Sequence, residues 1–153
     1  MSYVDVSLDL ATPNDFSEVR ALIENGLARR LREFDSTRNG DLVEFARTYG
    51  AVPIVVAKSR EGAIVGCGIL IDEAPGVVRI VRMSVAHDRR RHGVGSRVLT
   101  ALIAQARTRG CREIVLETTA DWDSAVAFYR AHGFVETHRA DGDIHFRYAL
   151  STR

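Results

Sequence analysis

"SVAHDRRRHGVGSRVLTALIAQARTRG", Ser84 to Gly110, begins like a strand and finishes like a helix. Arg89, Arg90 and Arg91 sit at the join, beside Gly93 and Gly95, with Ser96 just after them. Helix N-termini carry unpaired backbone N–H groups and a partial positive charge. Glycine lets a phosphate come close to that backbone, and arginine adds forked donors. These residues describe a diphosphate cradle or, read alone, a solvated basic loop with a glycine cap. A P-loop is excluded, because no Lys-Ser/Thr pair follows the second glycine. A dinucleotide fingerprint needs a third glycine, and Val98 holds that place in "GVGSRV".

The flanking segments set the fold. "VPIVVAKS", "AIVGCGILID" and "VVRIVRMSV" are strands joined by the turns "REG" and "DEAPG", so residues 53–85 read as an antiparallel meander. Val98, Leu99, Leu102, Ile103 and Ala106 make the apolar face of a helix from Val94 to Arg109, stopped by Gly110. Earlier, "YVDVSLDLA" alternates as a first strand, Tyr3 to Leu10. Phe16, Val19, Leu22, Ile23 and Leu27 then recur at helical spacing over about 15–31, with Thr12 or Asn14 as cap and Pro13 at the entry. "DLVEFARTYG" is a shorter helix ended by Gly50. Downstream, "REIVLETT" is a strand, and "DWDSAVAFYRAHG" is a helix with acidic cap candidates and Gly133 as its stop. "FVETHRA" and "IHFRYAL" close as a hairpin about "DGD". The order β-α-α-β-β-β-α-β-α-β-β is that of an α+β chain, and its length suits a single domain, 1–153.

Composition narrows the function classes. A formal net charge of +1 provides no global field for nucleic acid or a membrane surface. No apolar run reaches the ~20 residues that a membrane helix needs. "MSYVDVSLDL" lacks the basic-then-apolar start of a signal peptide. Cys67 and Cys111 are too few for a disulfide framework and have no metal-ligand spacing. The expectation is a cytoplasmic protein with two reduced core cysteines and no metal.

Two motifs now meet. "VRMSVAHDRRRHGVGSRVLTALIAQA" resembles the acetyl-CoA-binding segment of the GNAT acetyltransferase superfamily. In that segment a strand leads to Arg/Gln-x-x-Gly-x-Gly/Ala at the start of a long helix, and Arg90, Gly93 and Gly95 match it. "SAVAFYRAHGF" resembles the second motif of the same superfamily, with Ala125, Phe128, Tyr129, Gly133 and Phe134 in place. Together the motifs cover about residues 79–135. The resemblance implies a GNAT fold: a central, mostly antiparallel mixed sheet of about seven strands, flanked by four helices and splayed at the acyl-CoA site.

It also implies a site. The pantetheine arm of acetyl-CoA would pair with the backbone of Met83 and Val85, much like an added strand. Backbone N–H groups of Arg91, His92, Gly93, Val94, Gly95 and Ser96 would hold the diphosphate, with Arg90 and Arg91 as charge partners. Phe128 lies in the second motif, and Trp122 stands where the family often has a pantetheine-contacting Asn. Trp lacks that carbonyl, so its role would be to shield the thioester or to pack. Tyr129 occupies the position of the family's proton donor, and a phenol near pKa ~10 is protonated at pH 7. Many relatives carry a Glu early in the strand before the cradle, but "VRIVRMSV" has no acid. Glu117 on the next strand is the substitute base, acting through water, and it reads equally as a structural hydrogen-bonding residue. Asp121 and Asp123 are weaker candidates, since both read as helix caps.

The implied reaction is direct acyl transfer from acetyl-CoA to an amine-bearing acceptor. In this fold the acceptor is usually chosen by the first two helices and their connection. Arg29, Arg30, Arg32 and Arg38 in "LARRLREFDSTRNGD" form either a solvated face or a clamp for a carboxylate-bearing amine. Phe34 or Trp122 would line that pocket. Protein or aminoacyl-tRNA acceptors and a non-catalytic coenzyme-A-binding module are the rival readings, and the near-neutral charge argues against tRNA. A homodimer is compatible with the fold.

Overall fold

The computed structural model describes residues 5–31, 39–90 and 92–150, with the backbone alone at 28–31. Its elements are β1 (Ser7–Leu10), α1 (Phe16–Leu31), α2 (Gly40–Val43), α3 (Phe45–Tyr49), β2 (Ile54–Lys58), β3 (Ile64–Ala74), β4 (Val77–Val85), α4 (Val94–Thr108), β5 (Glu113–Thr119), α5 (Asp123–Ala131), β6 (Val135–Ala140) and β7 (Asp143–Ala149). The strands form one seven-stranded sheet in the order β1-β2-β3-β4-β5-β7-β6. It is mixed and mostly antiparallel, with β4–β5 as a parallel pair. By internal contacts the chain divides into two compact units, Met1–Leu70 with Arg82–Leu102 and Ile71–Val81 with Ile103–Arg153.

In the first unit, β2 contributes Ile54, Val55, Val56 and Ala57, all buried, which explains its continuous apolar run. Leu8 pairs with Ala57 and Leu10 with Val55 in the antiparallel β1–β2 ladder. α1 buries Val19 and Ile23, as its spacing predicts. Its entry differs slightly from expectation: a 3-10 turn spans Pro13–Asp15 before the α-helix begins at Phe16. Thr12 N–H donates to the Asp15 carboxylate at 2.9 Å, the return contact that holds such an entry. The cap is therefore Thr12 and not Asn14.

α4 packs closely on β3 because β3 carries glycines there. A Cβ on Gly66 would lie 2.7 Å from Val94 Cγ1, and one on Gly68 would lie 2.5 Å from Leu102 Cδ1. Val98 and Leu102 are fully buried against this surface, and Leu99 on the same helix is fully buried as well. The expected second helix is broken in two. Glu44 leaves the helical region at φ −110, ψ 50 and separates α2 from α3. A straight helix would set the Cα atoms of Asp41 and Tyr49 about 12 Å apart. The break lets the Tyr49 hydroxyl donate to the Asp41 carboxylate.

In the second unit, β7 lies between β5 and β6, pairing antiparallel with both. Ile114, Leu116, Phe134, Ile144 and Phe146 make its core. The turn between β6 and β7 places Asp141 and Gly142 at φ +53 and +82, which suits the expected Asp-Gly hairpin. Gly110 and Gly133 end α4 and α5 at φ +78 and +91. No helix among the described residues is long and apolar enough to cross a membrane.

Candidate active site

The described residues of the expected cradle belong to the first unit. β4 ends at Val85, and Ala86 N–H donates to the Val65 carbonyl at 2.8 Å. A 3-10 turn, His87–Arg89, then carries the chain toward α4. Gly93 takes φ +81, a left-handed conformation that favours glycine. Its carbonyl accepts Arg97 N–H at 3.2 Å, the bond that opens the helix. The N–H groups of Val94, Gly95 and Ser96 form the first turn, ahead of that bond. A helix N-terminus of this kind can hold an anion.

The side chains divide by role. Val94 is 2% exposed, so it is a core residue and can offer a ligand only its N–H. His92 and Gly93 are exposed. Arg90 is also exposed and stands at the rim of a cleft of about 330 Å³. Leu22, Asn25 and Gly26 of α1 line this cleft, with Val85, Ala86, His87 and Asp88. Arg91, Arg32, Phe34 and Arg38 lie outside the described residues, as do the side chains of Arg29 and Arg30. The expected carboxylate clamp therefore has no described geometry.

Met83 and Val85 sit at the C-terminal part of β4, both partly exposed. The residue before Met83 was not singled out by sequence. Arg82 has φ +54 in mid-strand. Its Nε and Nη2 donate to the two oxygens of Asp41 at 2.9 and 2.7 Å, and Nη2 also donates to Asn39 Oδ1 at 2.9 Å. Burial alone would raise the Asp41 carboxyl, but hydrogen bonds from Arg82 and Tyr49 outweigh it and hold it below the ordinary range. Burial, and then the Asp41 carboxylate, push the Tyr49 hydroxyl up to about 12. The one sequence signal for this network was an arginine inside the apolar run "VRIVRMSV".

The second unit holds the other candidates. Tyr129 is partly exposed but packed by rings: Phe134 at 5.8 Å, Phe128 at 5.2 Å and Phe146 at 6.1 Å between centroids. Burial pushes its hydroxyl up to about 12, so it is a donor throughout the neutral range. Phe128 also lies against His132, with centroids 4.4 Å apart. Glu117 is exposed on β5. Arg79 Nη1 donates to its Oε1 at 3.1 Å, and His145 Nε2 lies 3.7 Å from Oε2. Glu117 thus belongs to a surface network that continues from Arg79 to Glu73.

Trp122 is the N-cap residue of α5. Its carbonyl accepts the N–H groups of Ala125 and Val126, both at 3.1 Å. Trp122, and neither Asp121 nor Asp123, occupies the N-cap position, and its side chain makes no capping hydrogen bond; both aspartates are exposed. Cys67 is fully buried, and burial raises its thiol to about 12, consistent with an inert core thiol.

Comparison with known proteins bears on the fold and the family. An acetyltransferase of the GNAT family from Staphylococcus aureus superposes with a TM-score of 0.84 at 20% identity, covering 95% of this chain and 99% of that one. A PaiA N-acetyltransferase of Thermoplasma acidophilum, solved with coenzyme A, superposes with a TM-score of 0.81 at 11% identity, over 96% and 100% of the two chains. These likenesses establish the fold. An IAA acetyltransferase of Azospirillum brasilense is 36% identical over 78 residues, 50% of this chain and 51% of that protein. The aligned part thus spans about half the length of that curated relative. The family profile described as Acetyltransferase (GNAT) family matches residues 21–134, well over half of the sequence. The chain belongs to the acetyltransferase (GNAT) family.

Proposed function

We propose that this protein is an acetyl-CoA-dependent N-acetyltransferase acting on a primary amine of a small molecule or peptide. The observation that carries the proposal is Gly93, whose left-handed backbone opens α4 three residues after the exposed Arg90. The first-turn N–H groups of Val94, Gly95 and Ser96 suit a diphosphate, with Arg90 as charge partner. Gly93 and Gly95 put no side chain in its way. The β4 backbone at Met83 and Val85 receives the pantetheine arm. The bound thioester supplies an activated acyl group, so direct transfer needs only proton management.

Tyr129 is assigned as the acid. It gives its hydroxyl proton to the departing sulfur as the carbon–sulfur bond breaks and the carbon–nitrogen bond forms. Glu117 is assigned as the base. It takes the proton that the attacking amine must lose, through water, because it is exposed and shared with Arg79. Trp122 and Phe128 are assigned to shielding the thioester.

Calorimetric titration of acetyl-CoA into wild type and Gly93→Glu tests the cradle, with thermal melting as a check on folding. The added carboxylate blocks the cradle by bulk and repulsion. Binding by wild type and its loss in the folded variant is the expected result. A folded wild-type protein that does not bind acetyl-CoA would refute the proposal.

A further inference from the structure

Only two non-glycine residues among those described have positive φ: Asp141 in a hairpin turn, and Arg82 inside β4. An L-residue in that region is strained, and such strain persists only where the surroundings over-determine it. Here the surroundings grip both ends of the residue. The guanidinium is forked onto Asp41 and reaches Asn39, and Tyr49 donates to the same Asp41 carboxylate. The Arg82 carbonyl accepts the Cys67 thiol at 3.6 Å. Asn39 is 9% exposed and Tyr49 6%, while the Arg82 and Asp41 side chains are 21% and 24% exposed, so the clamp is part-buried.

Stability alone does not call for this arrangement. Half-buried ion pairs are often replaceable by apolar residues at no net cost. What a bidentate pair adds is direction, because two parallel bonds fix the guanidinium plane. The direction fixed here is that of the β4 backbone one residue before Met83. The far side of the clamp, Asn39 and Asp41, is the end of "LARRLREFDSTRNGD", the segment read as choosing the acceptor.

We propose that Arg82 is a positioning residue whose clamp on Asp41 and Asn39 holds its own left-handed backbone in β4, and so presents Met83 to the pantetheine arm. The proposal rests on the acetyl-CoA reading above and gives a role to a residue that none of the matched motif positions, Arg90, Gly93 and Gly95, includes. The test compares two ligands by calorimetry: acetyl-CoA, and the adenosine diphosphate portion of coenzyme A, which lacks the pantetheine arm. Arg82→Lys keeps the charge and loses the fork. It is expected to weaken acetyl-CoA by about tenfold, the worth of one charge-assisted hydrogen bond, and to leave the fragment within about twofold. Asp41→Asn should do the same, and the double variant should add little, since both act on one clamp.

Equal losses for both ligands would show a general structural role and overturn the proposal. Unchanged acetyl-CoA affinity in a folded variant would overturn it as well. Should Arg82→Lys and Asp41→Asn fail to fold, Tyr49→Phe carries the test, because it removes one donor from Asp41 and keeps the ring. About threefold weaker acetyl-CoA binding alone then supports the clamp, and no change refutes it. Wild type that binds the fragment but gains nothing from the pantetheine arm refutes this inference and leaves the cradle standing. Wild type that binds neither ligand refutes the acetyl-CoA reading itself, and this inference falls with it.

Discussion

Gly66→Ala should damage both stability and cofactor binding, from a position in β3 outside the proposed cradle. The added Cβ would lie 2.7 Å from Val94 Cγ1 and 3.2 Å from Val98 Cγ2. Carbon atoms pack at about 3.5–4.0 Å, so the first contact is roughly 1 Å too short. Val94 cannot swing away cheaply, because a β-branched side chain in a helix has one strongly preferred rotamer. The first turn of α4 must therefore shift, and overpacking of this kind costs about 1–3 kcal/mol. For a chain of this size that is a fall in Tm of roughly 2–12 °C. The turn that shifts is the one whose N–H groups are assigned to the diphosphate, so acetyl-CoA should bind about tenfold more weakly. Calorimetry with and without acetyl-CoA reads both effects, and Gly40→Ala is the control. A Cβ there meets nothing within 4 Å, so that variant should be neutral or slightly stabilised. A Gly66→Ala protein that melts within 1–2 °C of wild type, below the ~2 °C expected for the smallest overpacking cost, and binds acetyl-CoA equally well would refute the packing argument.

Further outcomes follow from the ionisable groups. Tyr129→Phe should lower turnover by about 10², the loss expected for a general acid, while acetyl-CoA affinity holds; turnover within fivefold of wild type, against that ~10² expectation, would remove the role. Because burial pushes the Tyr129 hydroxyl up to about 12, its ionisation should cause no alkaline loss of rate up to about pH 10. Asp41→Asn should destabilise the protein by about 1–3 kcal/mol at neutral pH, since it leaves the Arg82 guanidinium without its carboxylate. The Asp41 carboxyl is held below its ordinary value when folded, so its contribution is present above the unfolded value of 3.8 and is lost as pH falls. Urea midpoints of wild type and Asp41→Asn should accordingly converge below about pH 4, and parallel curves down to pH 3 would contradict that assignment.

Much of the architecture could be read from neighbouring residues. Helix α4 buries the face that its spacing marks, and Gly110 and Gly133 take the left-handed backbone expected at helix stops. These are signals within one or two turns of chain, where sterics and 3.6-residue spacing act without help from the rest of the fold. The glycines of β3 were legible as a strand but not as a seat for α4, because that depends on which strand the helix lands on. The break at Glu44 was likewise hidden, since "DLVEFARTYG" has continuous helical spacing. For α5 the acidic flanks suggested side-chain caps, yet Trp122 takes the N-cap position and its carbonyl accepts the first helical bonds.

The candidate site divides along the same line. Cradle and donor positions come from two contiguous motifs, each short enough for spacing to carry meaning. Glu117 was chosen because it is the acid on the next strand. Its sharing between Arg79 and His145 depends on side chains 38 and 28 residues away along the chain. The Arg82 clamp is the extreme case: Asp41 lies 41 residues and Asn39 43 residues upstream. Periodicity and turn chemistry report what a chain does to itself over a few residues. An ion pair across 41 positions, and the left-handed strand residue it holds, exist only once long-range packing has brought α2, α3 and β4 together.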